Sequence, residues 1–223
     1  YLLEAWLLYE DIVKDNKGDA EIYQKMGYCM QKSKGYEKAI EAYLHADMLI
    51  PDNVWTNRHL AMCYRQLNQL DKALIYYQKV EAAQPDNLNV LSQIGHCLVG
   101  LKRYEEALNY FFKVEYLDSE LPKIWRAIAW CSFVIGKHEQ AMKYYNKLLE
   151  KETQLMDYLN TGHVAWSLGQ LEKAVKMYAT SLAMSDNQEA FLELFNKDRG
   201  DLIKQGIKED DIPLMLDLLR YYR

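Results

Sequence analysis

Four cysteines, the residues with the most versatile side-chain chemistry in this chain, occur at equal intervals of thirty-four residues: Cys29, Cys63, Cys97 and Cys131. Thiols can pair as disulfides, bind metal ions or serve as nucleophiles. If the interval reflects stacked helical repeats, equivalent points lie about 10 Å apart, beyond the Cα separation that a disulfide allows. A metal site needs converging ligands, and His59 with Cys63 is the one pair at i, i+4 spacing. We therefore expect free cysteines that pack in the core, and no metal site.

Motifs that carry catalysis or bind cofactors are absent from the sequence. There is no glycine-rich phosphate loop, paired CxxC, HExxH or nucleophile elbow. Gly136-Lys137 lacks the upstream glycine and the following Ser or Thr of a phosphate loop, and His45 and His138 have no partner at ligand spacing. We expect no catalytic residues and no cofactor, so the chain is predicted not to be an enzyme.

The overall composition is typical of a soluble binding protein. The formal net charge of -5 and the sequence pI near 5.6 argue against nucleic-acid binding, which needs a basic face. No apolar stretch has the length of a membrane span, so membrane insertion is not expected. Unpaired thiols favour a reducing compartment, and we expect a cytoplasmic protein.

Alanines share the interval of the cysteines, which indicates that one structural unit is repeated along the chain. Ala39, Ala73, Ala107 and Ala141 each lie ten residues after a cysteine. Within each copy, apolar residues recur three and four positions apart in two stretches, which predicts two amphipathic helices. Polar segments such as Pro51-Asp52-Asn53 end one helix and offer a side-chain cap to the next. A period of thirty-four residues with this pattern predicts a stack of helix–turn–helix units.

The pattern of these copies resembles the tetratricopeptide repeat family, in which an aromatic residue, a Leu-Gly pair and a Tyr precede Ala, an aromatic residue, Ala and Pro. Five copies match in register, with the fifth displaced by one residue, and the alanine and the following aromatic residue are kept in all five. Their paired positions are Ala39 and Tyr43, Ala73 and Tyr77, Ala107 and Phe111, Ala141 and Tyr145, and Ala174 and Tyr178. The resemblance implies an all-α fold, a right-handed superhelix of antiparallel helix pairs, that serves as a non-catalytic scaffold for protein–protein interaction.

The repeats predict three segments of one continuous solenoid. Residues 1–18 match the second helix of a truncated upstream repeat, residues 19–187 hold the five repeats, and residues 188–223 are expected to form C-terminal capping helices. We expect residues 198–201 to break the first of these capping helices. The open N-terminal end could stack on another copy, so the alternatives are a self-assembling structural segment or a regulatory module of a larger protein with an enzyme or sensor domain upstream.

The resemblance also implies a concave groove, lined by the first helix of each unit, that binds a partner peptide or helix. Ten residues at groove positions are candidates for partner binding: Tyr28, Trp55, Arg58, Met62, Arg65, His96, Lys123, Arg126, Trp130 and His163. Trp, Tyr, Met and Arg are enriched at protein interfaces, and the cations exceed the carboxylates at these positions. The expected partner is therefore a protein segment with apolar anchors and an acidic stretch.

Two further expectations concern particular groove positions. His96, Trp130 and His163 occupy the same position in successive units, and we expect them to form a solvent-accessible row. Arg126→Glu is expected to abolish partner binding without changing the melting temperature. Family members that clamp chaperone C-termini carry Lys at position five and Asn at position nine of one unit. No unit here has that pair, which argues against this specialised function.

Overall fold

The computed structural model describes residues 2–16, 19–151 and 153–221, and within these ranges the chain forms thirteen α-helices and no strand. The predicted all-α fold of successive helix pairs is confirmed. None of the helices in these ranges is both long enough and apolar enough to cross a bilayer. The helices are α1 (Leu2–Asn16), α2 (Ala20–Lys32), α3 (Tyr36–Leu49), α4 (Val54–Gln66), α5 (Leu70–Ala83), α6 (Leu88–Gly100), α7 (Tyr104–Leu117), α8 (Pro122–Val134), α9 (His138–Lys151), α10 (Leu155–Ser167), α11 (Leu171–Met184), α12 (Gln188–Lys204) and α13 (Asp211–Tyr221).

The turn inside each helix pair has one residue in the left-handed backbone region. These residues keep the period of the sequence, and the last step is one residue shorter, as the displaced fifth copy predicts. They are Lys34, Asn68, Lys102, Gly136 and Gly169, with φ values of 62°, 55°, 60°, 79° and 73°. A single left-handed residue ends the first helix and lets the chain reverse direction within three residues. The two helices of a pair therefore run antiparallel.

Side-chain caps begin the first helix of several pairs, as the polar segments predicted. The side chains of Asp19, Asn53 and Asn87 accept hydrogen bonds from the backbone N–H groups three residues later, at 2.9, 3.0 and 3.2 Å. Each cap satisfies a donor that the helix itself leaves without a partner. Because these caps are also thirty-four residues apart, they fix the same starting point for α2, α4 and α6.

The core of each pair is built from the repeated alanine and the aromatic residue that follows it. The five alanines are fully buried, with 0% exposure, and the aromatic residues are at most 2% exposed. Gly27 lies against the Tyr43 ring, and a Cβ atom added there would lie 2.5 Å from Tyr43 Cε1. The alanine on the second helix and a small residue such as Gly27 on the first let the two helices approach closely, while the aromatic ring fills the space between them.

The chain packs as two compact units, Tyr1–Tyr110 and Phe111–Arg223, and the division falls within α7. In the first unit each helix from α1 to α6 packs on the next, and α2 also contacts α4. In the second unit α8, α9, α10 and α11 pack in sequence. Residues 1, 17, 18, 152, 222 and 223 of the three predicted segments lie outside the described residues.

The C-terminal region forms two helices, but the predicted break at residues 198–201 is wrong. Helix α12 continues through this segment to Lys204. Gly200 is exposed and a Cβ atom there would contact nothing, while Asp201 forms an ion pair with Lys204 at 3.1 Å. Packing of α12 on α10 and α11 therefore outweighs the low helix propensity of this segment. Pro213 lies in the first turn of α13, where a proline is tolerated.

Candidate partner-binding face

The first helices of the N-terminal unit, α2, α4 and α6, each bury one face against their own pair and leave another face open. Six of the ten predicted groove residues lie on this open face: Tyr28, Trp55, Arg58, Met62, Arg65 and His96. Tyr28, Trp55 and Met62 are 40%, 39% and 37% exposed. Arg58 and Arg65 are partly buried, and His96 is exposed. All six side chains are thus at least partly exposed, and their contact with a partner stays a prediction.

An aromatic pocket lies where α1, α2 and α4 meet, and we define it by Tyr9, Gln24, Tyr28 and Trp55. The ring centroids of Tyr28 and Trp55 are 6.5 Å apart. Gln24 is held in place by a 2.8 Å hydrogen bond from its Nε2 to Thr56 Oγ1. Cys29 and the ion pair of Glu21 and Lys25, at 2.7 Å, also line the pocket, so it offers aromatic walls to an apolar or aromatic side chain together with charged groups.

A hydrogen-bonded network of Tyr43, Gln31 and His59 packs behind Trp55 of the aromatic pocket. Tyr43 donates to Gln31 Oε1 at 2.9 Å, and His59 Nδ1 lies 2.6 Å from the same oxygen. An amide oxygen accepts hydrogen bonds, so this contact matches the His59 tautomer with its proton on Nδ1. Burial, with help from the nearby charges of Arg58 and Lys32, lowers the pKa of His59 to about 4, so the ring is neutral at pH 7. The neutral His59 ring packs against the Trp55 indole, with centroids 3.9 Å apart.

A second pocket of about 260 Å³ lies between α4 and α6 in the same unit. We call it the arginine pocket and define it by Arg58, Met62, Arg65, Asn89 and Gln93. Met62 gives it an apolar wall, whereas the two guanidinium groups and the two amides supply polar atoms. Tyr77 also lines it, and burial raises the pKa of this phenol to about 12 against the opposing charge of Arg65.

The two arginines of this pocket keep hydrogen-bonding capacity that the protein does not use. Arg58 donates from Nη2 to Gln84 Oε1 at 3.0 Å, but its Nε is buried with no hydrogen-bond partner. The Nε of Arg65 and the Oε1 of Gln93 are likewise buried and unpartnered. No carboxylate among the described residues is within ion-pair distance of Arg58 or Arg65. The pocket is therefore electropositive.

In the C-terminal unit, Arg126 is already engaged within the protein. Its Nε lies 2.9 Å from Asp157 Oδ1, and its Nη2 lies 3.0 Å from Asp157 Oδ2, which is a bidentate pair. The Asp157 side chain is only 2% exposed and also accepts a 2.8 Å hydrogen bond from the backbone N–H of Gln154. Arg126 therefore joins α8 to the start of α10. The expectation that its charge reversal leaves stability unchanged conflicts with this contact.

His163 is fully buried, so the prediction that it forms part of a solvent-accessible row is wrong. Helix α12 packs against α10 and covers the His163 ring, which lies between Tyr178, Phe133 and Phe195. His163 Nδ1 is 2.8 Å from the Tyr178 hydroxyl, and Nε2 is 3.4 Å from Asp198 Oδ2. The side chain links the capping helix to the repeats and cannot contact a partner.

The other groove candidates of the C-terminal unit differ in their accessibility. Lys123 is exposed, and Trp130 is partly buried with its ring centroid 5.6 Å from that of Phe133. Phe133 and Trp166, which occupy groove positions by the same spacing, are buried in the core. In this unit, residues at the groove positions of the repeat therefore include core residues as well as surface residues.

The four cysteines are free and buried, as the sequence predicted. Burial raises the pKa of Cys63 to about 12, that of Cys97 to about 11 and that of Cys131 to about 12. These thiols therefore remain protonated near neutral pH and are poor nucleophiles. Among the residues that the structure describes, no group of three or more His, Cys, Asp or Glu side chains is arranged to hold a metal ion.

Several residues that shape the two pockets were not identified from sequence. Gln31 and His59 support Trp55, Tyr9 completes the aromatic pocket, and Gln93 lines the arginine pocket. His59 follows Trp55 by four residues, so the helical spacing could have indicated their contact. Ser92 is the counterpart of Arg58 in the next repeat, thirty-four residues later, and it is buried. Gln93 follows it directly in the sequence. The burial of Ser92 and the position of Gln93 in the pocket lining were not visible in the repeat pattern.

The arrangement of paired helices with these spacings is that of a known repeat family. The family model for the tetratricopeptide repeat matches residues 20–53, 59–87, 88–120 and 158–188, more than half of the chain. The chain belongs to the tetratricopeptide repeat family. Such repeats generally serve as scaffolds for protein interaction. The matched ranges do not include residues 121–157, where α8 and α9 nevertheless form a pair of the same kind.

Similar curated proteins share only a short stretch with this chain. It is 27% identical over 64 residues to the protein O-mannosyl-transferase TMTC3 of Mus musculus, a stretch that is 29% of this chain. The Homo sapiens protein of the same name is 25% identical over 64 residues. In each case the match covers 7% of the relative, so the chain spans a small part of their length.

Solved structures of repeat proteins show the same fold over most of the chain. YrrB, described as a TPR protein with an unusual peptide-binding site, superposes with a TM-score of 0.71 at 18% identity, covering 83% of this chain and 96% of YrrB. MamA from AMB-1 superposes with a TM-score of 0.62 at 28% identity, covering 68% of this chain and 85% of MamA. The likeness to YrrB is one of fold.

Proposed function

We propose that this chain is a non-catalytic scaffold that binds a segment of a partner protein on the open face of α2, α4 and α6. The observation that carries the proposal is the pair of pockets on this face. The aromatic pocket would hold an apolar side chain of the partner, and the arginine pocket would hold a polar or acidic one. Helix α4 contributes Trp55 to the first pocket and Arg58, Met62 and Arg65 to the second, so one helix connects them.

The side-chain types on this face, and the way they are held, favour it as the binding surface of the unit. Trp, Tyr and Arg side chains account for most of the binding energy at protein interfaces, and they do so best from partly enclosed positions. Trp55 is held by His59 and Tyr43, with a Tyr43–Trp55 centroid distance of 5.7 Å. A side chain that is already fixed loses little conformational entropy on binding, so more of the contact energy appears as affinity.

Selection from a phage-displayed peptide library against the full chain tests the proposal. We expect the selected peptides to share an apolar or aromatic residue and to lose binding to Trp55→Ala. The matched control is Ile75→Ala, which removes an exposed apolar side chain on α5 outside both pockets and should bind like the parent. Circular dichroism of both variants establishes that the fold is retained. Peptides that bind Trp55→Ala as tightly as the parent would place the binding surface elsewhere.

A second candidate function, self-assembly through α1, is favoured by the leucines that this helix exposes. Leu3 and Leu8 are 61% and 66% exposed, and Ala5 is half-buried although its counterpart Ala39 is 0% exposed. A copy of the chain stacked on α1 would bury this apolar surface. Sedimentation equilibrium should then show a mass that rises with concentration in the parent and not in Leu3→Glu/Leu8→Glu. A monomer at all concentrations would refute self-assembly.

A further inference from the structure

The arginine pocket contains two cationic groups whose donors are only partly used inside the protein. Arg58 Nε and Arg65 Nε are buried and have no hydrogen-bond partner. A buried donor without an acceptor destabilises the free protein, and more so if it is charged. Both arginines line the pocket and are only partly buried, so their other guanidinium nitrogens are the ones that can pair with an oxygen-bearing ligand group.

We infer that the arginine pocket is a subsite for the side-chain carboxylate of an Asp or Glu in the bound partner segment. This inference rests on the proposed function, because it assigns one residue of the segment that the open face would bind. The guanidinium group matches the planar geometry of a carboxylate and can donate two parallel hydrogen bonds to it. Asn89 adds a neutral amide, and Met62 packs against the methylene groups of the incoming side chain.

The charge of the pocket supports a carboxylate over a neutral amide. No described carboxylate pairs with either arginine, so an incoming anion meets two uncompensated positive charges in a partly enclosed site. Coulomb attraction in such a site is several times stronger than in bulk water. A glutamine side chain would gain the hydrogen bonds without the charge, and its affinity should be lower.

The surroundings of the pocket favour an internal side chain over a chain terminus. The open face continues on α6 to His96, which is exposed, so a bound segment can extend beyond the pocket. On the other side, α4 leads back to Trp55 in the aromatic pocket. A partner segment that uses both pockets must therefore pass through the arginine pocket and present a side chain to it.

The geometry of the helices gives the spacing between the two anchor residues of the partner. Adjacent helices lie about 10 Å apart, which separates the two pockets across α4. The middle of the Arg58–Arg65 stretch is about 10 Å along α4 from Trp55 at 1.5 Å per residue. The diagonal is about 14 Å, which an extended segment covers in about four residues. The acidic residue should therefore lie about four residues from the apolar anchor.

Matched peptide pools provide the test with the full chain. Each pool consists of fluorescent, acetylated and amidated short peptides with a Trp anchor, uncharged filler residues and Glu about four residues from the anchor, and the control pool has Gln in place of Glu. We expect the Glu pool to bind the parent about tenfold more tightly than the Gln pool, a difference of about 1.4 kcal/mol. Arg58→Gln and Arg65→Gln should reduce the Glu pool to the affinity of the Gln pool. Arg103→Gln, the same substitution at an exposed arginine outside the pocket, should keep the preference.

Each outcome separates the inference from the proposed function. Equal binding of the two pools to the parent, with both lost in Trp55→Ala, would overturn the carboxylate subsite and leave the binding face intact. Failure of both pools to bind the parent would overturn the carboxylate subsite and the proposed binding face together. Tighter binding of a third pool with phosphoserine in place of Glu would overturn the carboxylate assignment. If Arg65→Gln does not fold, the Arg58 and Arg65 Nε–H resonances of the parent, which should shift with the Glu pool and not with the Gln pool, provide the second readout.

Discussion

Charge reversal at Arg126 is the perturbation that most directly separates a structural role from a binding role. Asp157 is almost completely buried, and Arg126 supplies both of its charged hydrogen bonds. Removing one partner of a buried pair costs about 3–5 kcal/mol, because the other charge is left without compensation. Arg126→Glu also places two carboxylates together. We expect the free energy of unfolding to fall by at least this amount, which corresponds to a melting temperature lower by about 6–20 °C.

A matched control exists in the exposed pair of Arg103 and Glu106, whose nitrogen and oxygen atoms are 2.6 Å apart. Both side chains of that pair are about half exposed, and such surface pairs contribute little to stability because solvent and salt screen them. Thermal unfolding of Arg126→Glu and Arg103→Glu, followed by circular dichroism, compares a buried pair with an exposed one. Equal melting temperatures for the two variants would refute the structural role of Arg126.

The double variant Arg126→Gln/Asp157→Asn removes both charges of the pair. It replaces both charged groups by neutral amides, so neither member is left with an uncompensated charge. We expect it to be more stable than Arg126→Gln alone, and the coupling energy from the double-mutant cycle measures the pair itself. Additive effects of the two substitutions would show that the observed contact does not stabilise the unit.

Three further predictions follow from burial and from pKa shifts. Cys63 and Cys97 should react with iodoacetamide at pH 8 only as fast as the fold opens, because burial raises the pKa of both thiols, and rapid labelling of the folded chain would contradict their placement. Stability should fall as pH drops from about 6.5 to about 4, because His59 binds a proton in the unfolded chain before it does so in the folded one. Urea titrations at several pH values should show that the free energy of unfolding falls less with pH in His59→Gln than in the parent. The same pH dependence in both proteins would exclude His59 as the origin. Ala73→Leu should lower the free energy of unfolding by about 1–3 kcal/mol, since Ala73 is 0% exposed and the added atoms overpack the α4–α5 pair; parental stability in urea would mean that the site has unfilled space.

The helix pairs could be predicted from sequence because local physics and repetition give the same answer. Each helix carries an apolar stripe at helical spacing, and a single cap or turn residue marks its ends. The caps at Asn53 and Asn87 follow from their residue type and position alone. The open face of α4 follows as well, because residues on the side opposite the buried alanine must face away from the pair.

The exceptions arise where distant segments meet. His163 occupies a groove position, yet it is covered by α12, which begins twenty-five residues later and lies outside the repeat pattern. Arg126 is paired with Asp157, thirty-one residues away, and nothing in the spacing of charges indicates that contact. The break expected at residues 198–201 failed for the same reason, because tertiary packing of α12 outweighs local propensity.

The equivalence of the caps at Asn53 and Asn87 makes the second repeat an interchangeable block. Deleting residues 54–87 joins Asn53 directly to Leu88, so α6 would begin with the cap that now begins α4. Trp55, Arg58 and Arg65 all lie within this block. Gene duplication, deletion or exchange of one such block could therefore change which partner is recognised while every remaining helix keeps a neighbour of the same type. Under the proposed function, recognition could thus evolve separately from the stability of the surrounding repeats.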